Sequence, residues 1–534
     1  MVITVLLSLV LLMPVALDAR DAQHEHGDSS QQLGSVHFPV SCTSAAQDSF
    51  TRGVALLHSF WYEEAQKIFE NIVRDEPKCA MAYWGVAMSQ WHQVSGWPDT
   101  DASKVAEQAL AKTKNLKASA RERGYITALA LFFRDSPKQD PLERATAYAH
   151  AMSTLHDEYP ADTDAGAFYA LSLLASEPEN DATFANRKKA GEVLEKLFAA
   201  QPDHPGVAHY LIHAYDKPQL AELALPAAQR YAKIAPASPH ALHMPSHIFA
   251  RLGMWQPDID SNLASVAATE RVLAMHMEGA AHQFHAMDFL LYAYLQSGRE
   301  ADAQQLIRKV KLMPSSEAYK WGGYNWHAYS KAEYPAVYAL EVRDWSAATQ
   351  LELVPDAPSF ATALTHWGRS IGAARNGRSE IARSNALQIK SIHDAMITSR
   401  ETYFEDYVLE EYQEASAWAD YADGQVDKAV QALRSVAEKQ EAVGDEPTGI
   451  PAREMLADLL LLAKQPEQAL SEYELDLKFN PNRFNGLYGA GLAAEKAGQI
   501  QKSRELYREL VKMCADSESH RPELVHAADF LKND

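Results

Sequence analysis

Residues 52–77 read RGVALLHSFWYEEAQKIFENIVRDEP, and they decide the fold class. Gly53 and Ala65 are small, so two helices of a hairpin can approach closely at these positions. Phe69 stands four residues after Ala65, on the same helix face, and is bulky enough to fill the gap to a following hairpin. Pro77 closes the second helix, because proline cannot continue one. The same spacing returns at Ala469, Tyr473 and Pro481, followed by Gly491, Ser503 and Tyr507. Ala429 and Leu433 fit a unit before these, and weaker copies stand at Ala190, Leu194 and Pro202, at Ala303 and Ile307, and at Ala382. A hairpin of this kind buries its apolar face only against its neighbours, so the array is expected to wind into a superhelix with a concave inner surface.

This pattern resembles that of the tetratricopeptide repeat (TPR) superfamily: W-x2-L-G-x2-Y, then A-x3-F, then P, in units of about 34 residues. The resemblance implies an all-α, TPR-type α-solenoid whose first helices line a ligand groove. Four longer stretches (FWYEEAQKIF at 60–69, MAYWGVAMSQWH at 81–92, HYLIHAYD at 209–216 and PHALHMPSHIFARLG at 239–253) are similar to a group of secreted bacterial TPR proteins. That resemblance covers most of the chain and implies fold and export, with no activity attached. No alternation flanked by Asn-Gly or Gly-Gly turns marks a strand, so no sheet is expected. Three stretches depart from the repeat: 88–120 with its Gly96-Trp97-Pro98 break, the aromatic-rich 313–345, and 440–451, which reads as a loop.

The apolar run in residues 1–19, MVITVLLSLVLLMPVALDA, is too short for a membrane span and reads as a signal peptide, cut near Ala19 or Ala22. Its start lacks Lys and Arg, which leaves an uncleaved anchor as the alternative. Residues 20–40 read as a polar lead-in, 41–312 as an N-terminal TPR array and 313–534 as a C-terminal one, with a joint near 313–335 in one continuous solenoid. The expected destination is periplasmic or secreted. Export permits disulfides, and Cys42 and Cys79 precede the helices of adjacent repeats, so they are the expected pair; Cys514 is left as a buried thiol.

Across 534 residues, 47% are hydrophobic and 23% charged, a globular composition, and the net charge is −21. Such acidity excludes nucleic acid as a partner and suits cations, metal ions or basic peptides. No CxxC, CxxCH, HExxH, GxSxG or Walker loop is present. Gly489-Ala-Gly491 falls inside a repeat helix and is no dinucleotide fingerprint.

The functional signal is histidine. Nine of the 21 histidines fall between 204 and 285. His209/His213 and His243/His247 form two His-x3-His pairs offset by 34 residues, one repeat length. Residues four apart share a helix face, so each pair can aim two imidazoles at one point. In the TPR register these positions line the groove. One extra helical turn in the next unit puts His285 level with His247, while Asp216 and Asp288 follow three residues after His213 and His285. His204, His240 and His276 fall outside this register and are set aside, as are His24 and His26. His58 and His92 lie among the first-repeat aromatics and could face the same groove.

The expected site is therefore His209, His213, His243, His247 and His285, with Asp216 and Asp288 as ligands or orienting groups. The expected cofactor is a transition metal ion, zinc, copper or iron(II), since all accept imidazole. Nearby Met244, Met254, Met275, Met277 and Met287 read as core filler rather than copper ligands. Two alternatives stay open. One is a metal-dependent enzyme that activates water or oxygen, with Asp216, Asp288 or Glu278 as base. The other is a metal-free scaffold that holds a small ligand, a peptide or a protein partner. Trp321, Tyr324, Trp326, His327, Tyr329, Tyr334 and Tyr338 either wall the groove or pack between irregular helices.

Overall fold

A computed structural model describes residues 32–532, apart from 95, 135–138, 179–180, 400, 402 and 445–446. The signal segment 1–19, His24 and His26 lie outside the described residues. The chain is an α-solenoid of stacked helical hairpins: Ser44–His58 packs on Tyr62–Asp75, and the same antiparallel pairing recurs through Phe484–Lys496 on Ile500–Met513, with Pro522–Lys532 as a last helix. No described helix is long and apolar enough to cross a membrane.

The small-against-bulky rule is literal in the coordinates. A Cβ added at Gly53 would stand 2.7 Å from the Phe69 ring, and one added at Gly85, in the next repeat, 2.4 Å. Phe69 therefore locks its own hairpin to the following one, fully buried. Tyr473 does the same against Gly489, at 2.2 Å. Such a ring contributes about 1.5–3 kcal/mol by burial alone.

Four features bear on the sequence expectation. The first is the lead-in. Residues 32–40 are docked rather than loose: Ser35 donates to the Asp203 carbonyl at 3.0 Å, and Phe38, 1% exposed, packs on Phe50, Trp84 and Tyr125. Leu33 and Phe38 are buried, with Val36 and Val40 partly buried beside them, and they take the stretch into the core. The second is a hairpin. Lys320–Trp321 pairs antiparallel with Tyr324–Asn325, turning at Gly322 (φ +60°) and Gly323 (φ +83°). Gly-Gly supplies the two positive φ angles that a tight hairpin turn requires, and the sequence reading passed over it.

Third, Cys42 and Cys79 form a disulfide with a Cα–Cα distance of 5.1 Å, and Cys514 is free and buried. Fourth, the superhelix winds far enough for distant repeats to touch. Trp255 Nε1 donates to the Asn482 carbonyl at 2.9 Å and Lys217 Nζ to those of Val443 and Gly444 at 2.6 Å. A fully buried Arg483 joins Tyr292, Glu341 and Glu454 at 2.8 Å each. Across the expected joint, Tyr334 Oη donates to the Phe284 carbonyl at 2.6 Å.

Candidate metal centre

The repeat that carries the second histidine pair has its first helix in two pieces, Pro239–His243 and Pro245–Arg251, because Pro245 has no N–H to continue the ladder. The short first piece carries His240 and His243 one turn apart. It divides the histidines into two neighbouring triads.

One triad is His243, His247 and His285, the last from helix His282–Gln296. Its hydrogen bonds fix the tautomers. Asn262 Nδ2 donates to Asp258 Oδ1 at 2.7 Å, which turns its Oδ1 towards His243 Nδ1, 2.7 Å away. An amide oxygen only accepts, so His243 Nδ1 carries the proton. His247 Nδ1 donates to Asp216 Oδ2 at 2.8 Å, and Asp216 is also held by Arg251 Nε at 3.0 Å. Burial works against ionisation of Asp216, but Arg251 and His247 outweigh it and hold its carboxyl well below the usual range. Both Nδ1 atoms are thus committed as donors, and the two Nε2 atoms face each other at 3.0 Å with lone pairs. Only a cation can lie between them. Burial, and then the neighbouring His285, push His243 well below its ordinary value, against a second proton. The His285 ring stands 4.7 Å and 5.4 Å from theirs and faces solvent. Phe289, fully buried, packs against all three rings at 4.5–5.1 Å.

The other triad is His209 and His213, from helix Pro205–Tyr215, with His240. His209 Nδ1 donates at 2.6 Å to the carbonyl of His58, one of the unpaired carbonyls at the end of helix Ser44–His58. Its Nε2 then holds the lone pair, 3.0 Å from His240 Nε2 and 3.1 Å from His213 Nε2. Burial pushes His209 down to about 3. Phe60, in the left-handed region at φ +51°, sets its ring 4.3 Å from His209, 5.3 Å from His213 and 5.5 Å from His240. A bulky residue there is costly, and such strain concentrates where a side chain must be aimed.

Two nitrogens bound at about 2.0–2.1 Å to one ion stand about 2.9–3.4 Å apart for bond angles of about 90–110°. The observed 3.0, 3.0 and 3.1 Å fall in that range. In each triad the ligand atoms all lie within 4.8 Å of one another, so each could hold a metal ion. A third group, His58, Asp164 and His204, meets the same limit. Its members are at most 3% exposed, and their nitrogens are largely committed. His58 spans Tyr210 Oη at 2.9 Å and Asp164 Oδ1 at 2.8 Å, and His204 Nδ1 caps helix Pro205–Tyr215 through Val207 N. This group supports the His209 triad through the His58 carbonyl.

The structure brings the five expected histidines together, but as two sets rather than one. His240, set aside on register, completes the set of His209 and His213; its i,i+3 relation to His243 was the available signal. Asn262 was not foreseen. Asp216 orients His247 rather than lying among the converging nitrogens. Asp288 accepts from Thr448 at 3.2 Å, and the Glu278 carboxylate lies 3.6 Å from Lys67. His204 caps a helix, and His276 takes φ +57° at a turn. Of the aromatic patch, Trp321 stacks on His92 at 5.7 Å and meets His282 at 5.3 Å, beside His240. Tyr334 is core. Met244 and Met287 are fully buried, and Met275 is exposed.

No protein-family model matches the chain, and no curated protein sequence matches it. Among solved structures it is similar to the human IFIT1 dimer with PPP-AAAA, at 12% identity and TM-score 0.36, over 84% of this chain and 95% of that one. It is also similar to the APC/C hetero-tetramer Cut9–Hcn1, at 11% identity and TM-score 0.27, over 92% of this chain and 96% of that one.

Proposed function

We propose that this chain is an exported TPR-type solenoid that binds a transition metal ion in its groove, with His243, His247 and His285 as ligands. One observation carries the reading. His243 Nε2 and His247 Nε2 meet at 3.0 Å while each Nδ1 is committed as a donor, to Asn262 and to Asp216. Two lone pairs at that distance require a cation, and the converging third imidazole gives that cation a metal's coordination number rather than a proton's. The Asp216–His247 bond fixes ring orientation and raises ligand basicity, as carboxylates do behind metal-bound histidines. Imidazole-only donors suit zinc, copper, nickel or iron(II). Three protein ligands leave a coordination position for water or a small ligand, on the side where His285 meets solvent. Export is supported by the apolar run at 1–19 and by the Cys42–Cys79 disulfide, a bond that persists in oxidising compartments.

Metal analysis of the purified full chain, before and after loading with zinc or copper, tests the reading. The expected result is stoichiometric metal that falls by one equivalent in a His243→Ala/His247→Ala variant with unchanged helical circular dichroism. Undiminished metal in that variant, or a folded wild-type chain that takes up none, overturns it.

A further inference from the structure

The triad of His209, His213 and His240 has no part in the reading above, yet it carries the same signature. His209 Nδ1 can only donate, because its partner is a carbonyl oxygen. Its single Nε2 lone pair is approached by two more imidazole nitrogens, at 3.0 and 3.1 Å. That lone pair can accept one in-plane hydrogen bond, which leaves the third nitrogen without a role. An ion at the centre of the three engages all of them. Phe60 seals one side, while His213 and His240 are only partly buried and leave a path from the groove.

The two triads also adjoin. His240 and His243 sit one turn apart with ring centres 6.2 Å from each other, and His213 and His247 are separated by 6.4 Å. We propose that His209, His213 and His240 hold a second transition metal ion, so that the groove carries a pair of tri-imidazole ions close enough to interact magnetically. This rests on the assignment of the first ion to His243, His247 and His285. Each ion keeps a position for an exogenous ligand, and the ligand class that suits two neighbouring dications is a small oxygen-donor anion.

The test is copper(II) titration of the full chain by electron paramagnetic resonance, with His240→Ala and the milder His240→Asn as variants and circular dichroism as the fold control. Wild type is expected to bind two equivalents, with dipolar broadening and a half-field transition appearing between the first and second. Both variants are expected to bind one, with an uncoupled mononuclear signal. One equivalent in wild type that His240→Ala retains overturns the second site and leaves the first standing. Two equivalents in the variants overturn the ligand set, and two without magnetic interaction overturn the pair. No copper bound by wild type overturns both assignments.

Discussion

The chain uses one histidine–asparagine contact twice, in two different neighbourhoods. His243 Nδ1 meets Asn262 Oδ1 at 2.7 Å, and His366 Nδ1 meets Asn385 Oδ1 at 2.8 Å. In both, the partner lies nineteen residues on, across the hairpin from first helix to second. Both asparagines are turned by donating Nδ2 to a carbonyl four residues back, Asp258 and Ile381. Both histidines therefore present Nε2 with a lone pair. The difference lies in what that lone pair meets. His243 meets His247 and His285, whereas His366 joins no ligand group among the described residues. A hairpin can hold a histidine in one tautomer for packing alone; convergence from neighbouring repeats is what makes it a ligand.

The comparison can be broken most visibly through metal-linked stability. An ion that binds only the folded chain adds about 4 kcal/mol when free metal is a thousandfold above Kd. Denaturant unfolding with and without zinc should show that gain in wild type and in His366→Ala. His243→Ala should lose the share due to its centre, and an equal gain in His243→Ala and wild type would erase the distinction. A smaller effect is expected from the groups behind the ligands. Asn262→Ala and Asp216→Asn should each weaken metal binding by about 10–100-fold. Asn385→Ala should leave it unchanged, as chelator competition would show; equal affinities across the three variants would contradict the assigned orientation. The smallest effect is on the metal-free chain. Asn385→Ala leaves the His366 imidazole N–H unpaired, at a cost of about 1–3 kcal/mol, whereas in Asn262→Ala Ser246 Oγ, 3.2 Å from His243 Nδ1, remains to accept. The shift in denaturation midpoint should still be larger for Asn262→Ala, because Asn262 is fully buried and its loss also removes the bond to the Asp258 carboxylate, whereas Asn385 is only partly buried.

The fold was readable because its rule is local. Gly53, Ala65, Phe69 and Pro77 each stand where the hairpin needs a small, a bulky or a terminating residue, and Phe69 does fill the space that Gly53 and Gly85 leave. The gathering of the two histidine pairs from neighbouring repeats was readable for the same reason, through the 34-residue offset. What escaped depended on contacts the repeat does not encode. His240 was lost because register was applied as if the repeat's first helix were regular, while Pro245 divides it and places His240 beside the previous pair. Asn262 lies on a second helix, which the register assigns to packing. Gly322-Gly323 was hidden in an aromatic stretch too short for strand periodicity. Phe38 docks from beyond the first repeat, where no pattern reaches.

The most direct measurement is anomalous diffraction at the absorption edge of the loaded metal, on crystals of the full chain. The account predicts a peak enclosed by the nitrogens of His243, His247 and His285, about 2.0–2.1 Å from each, with Asp216 and Asn262 still on the far sides of the rings. Metal-loaded crystals with no peak among these three imidazoles would contradict it.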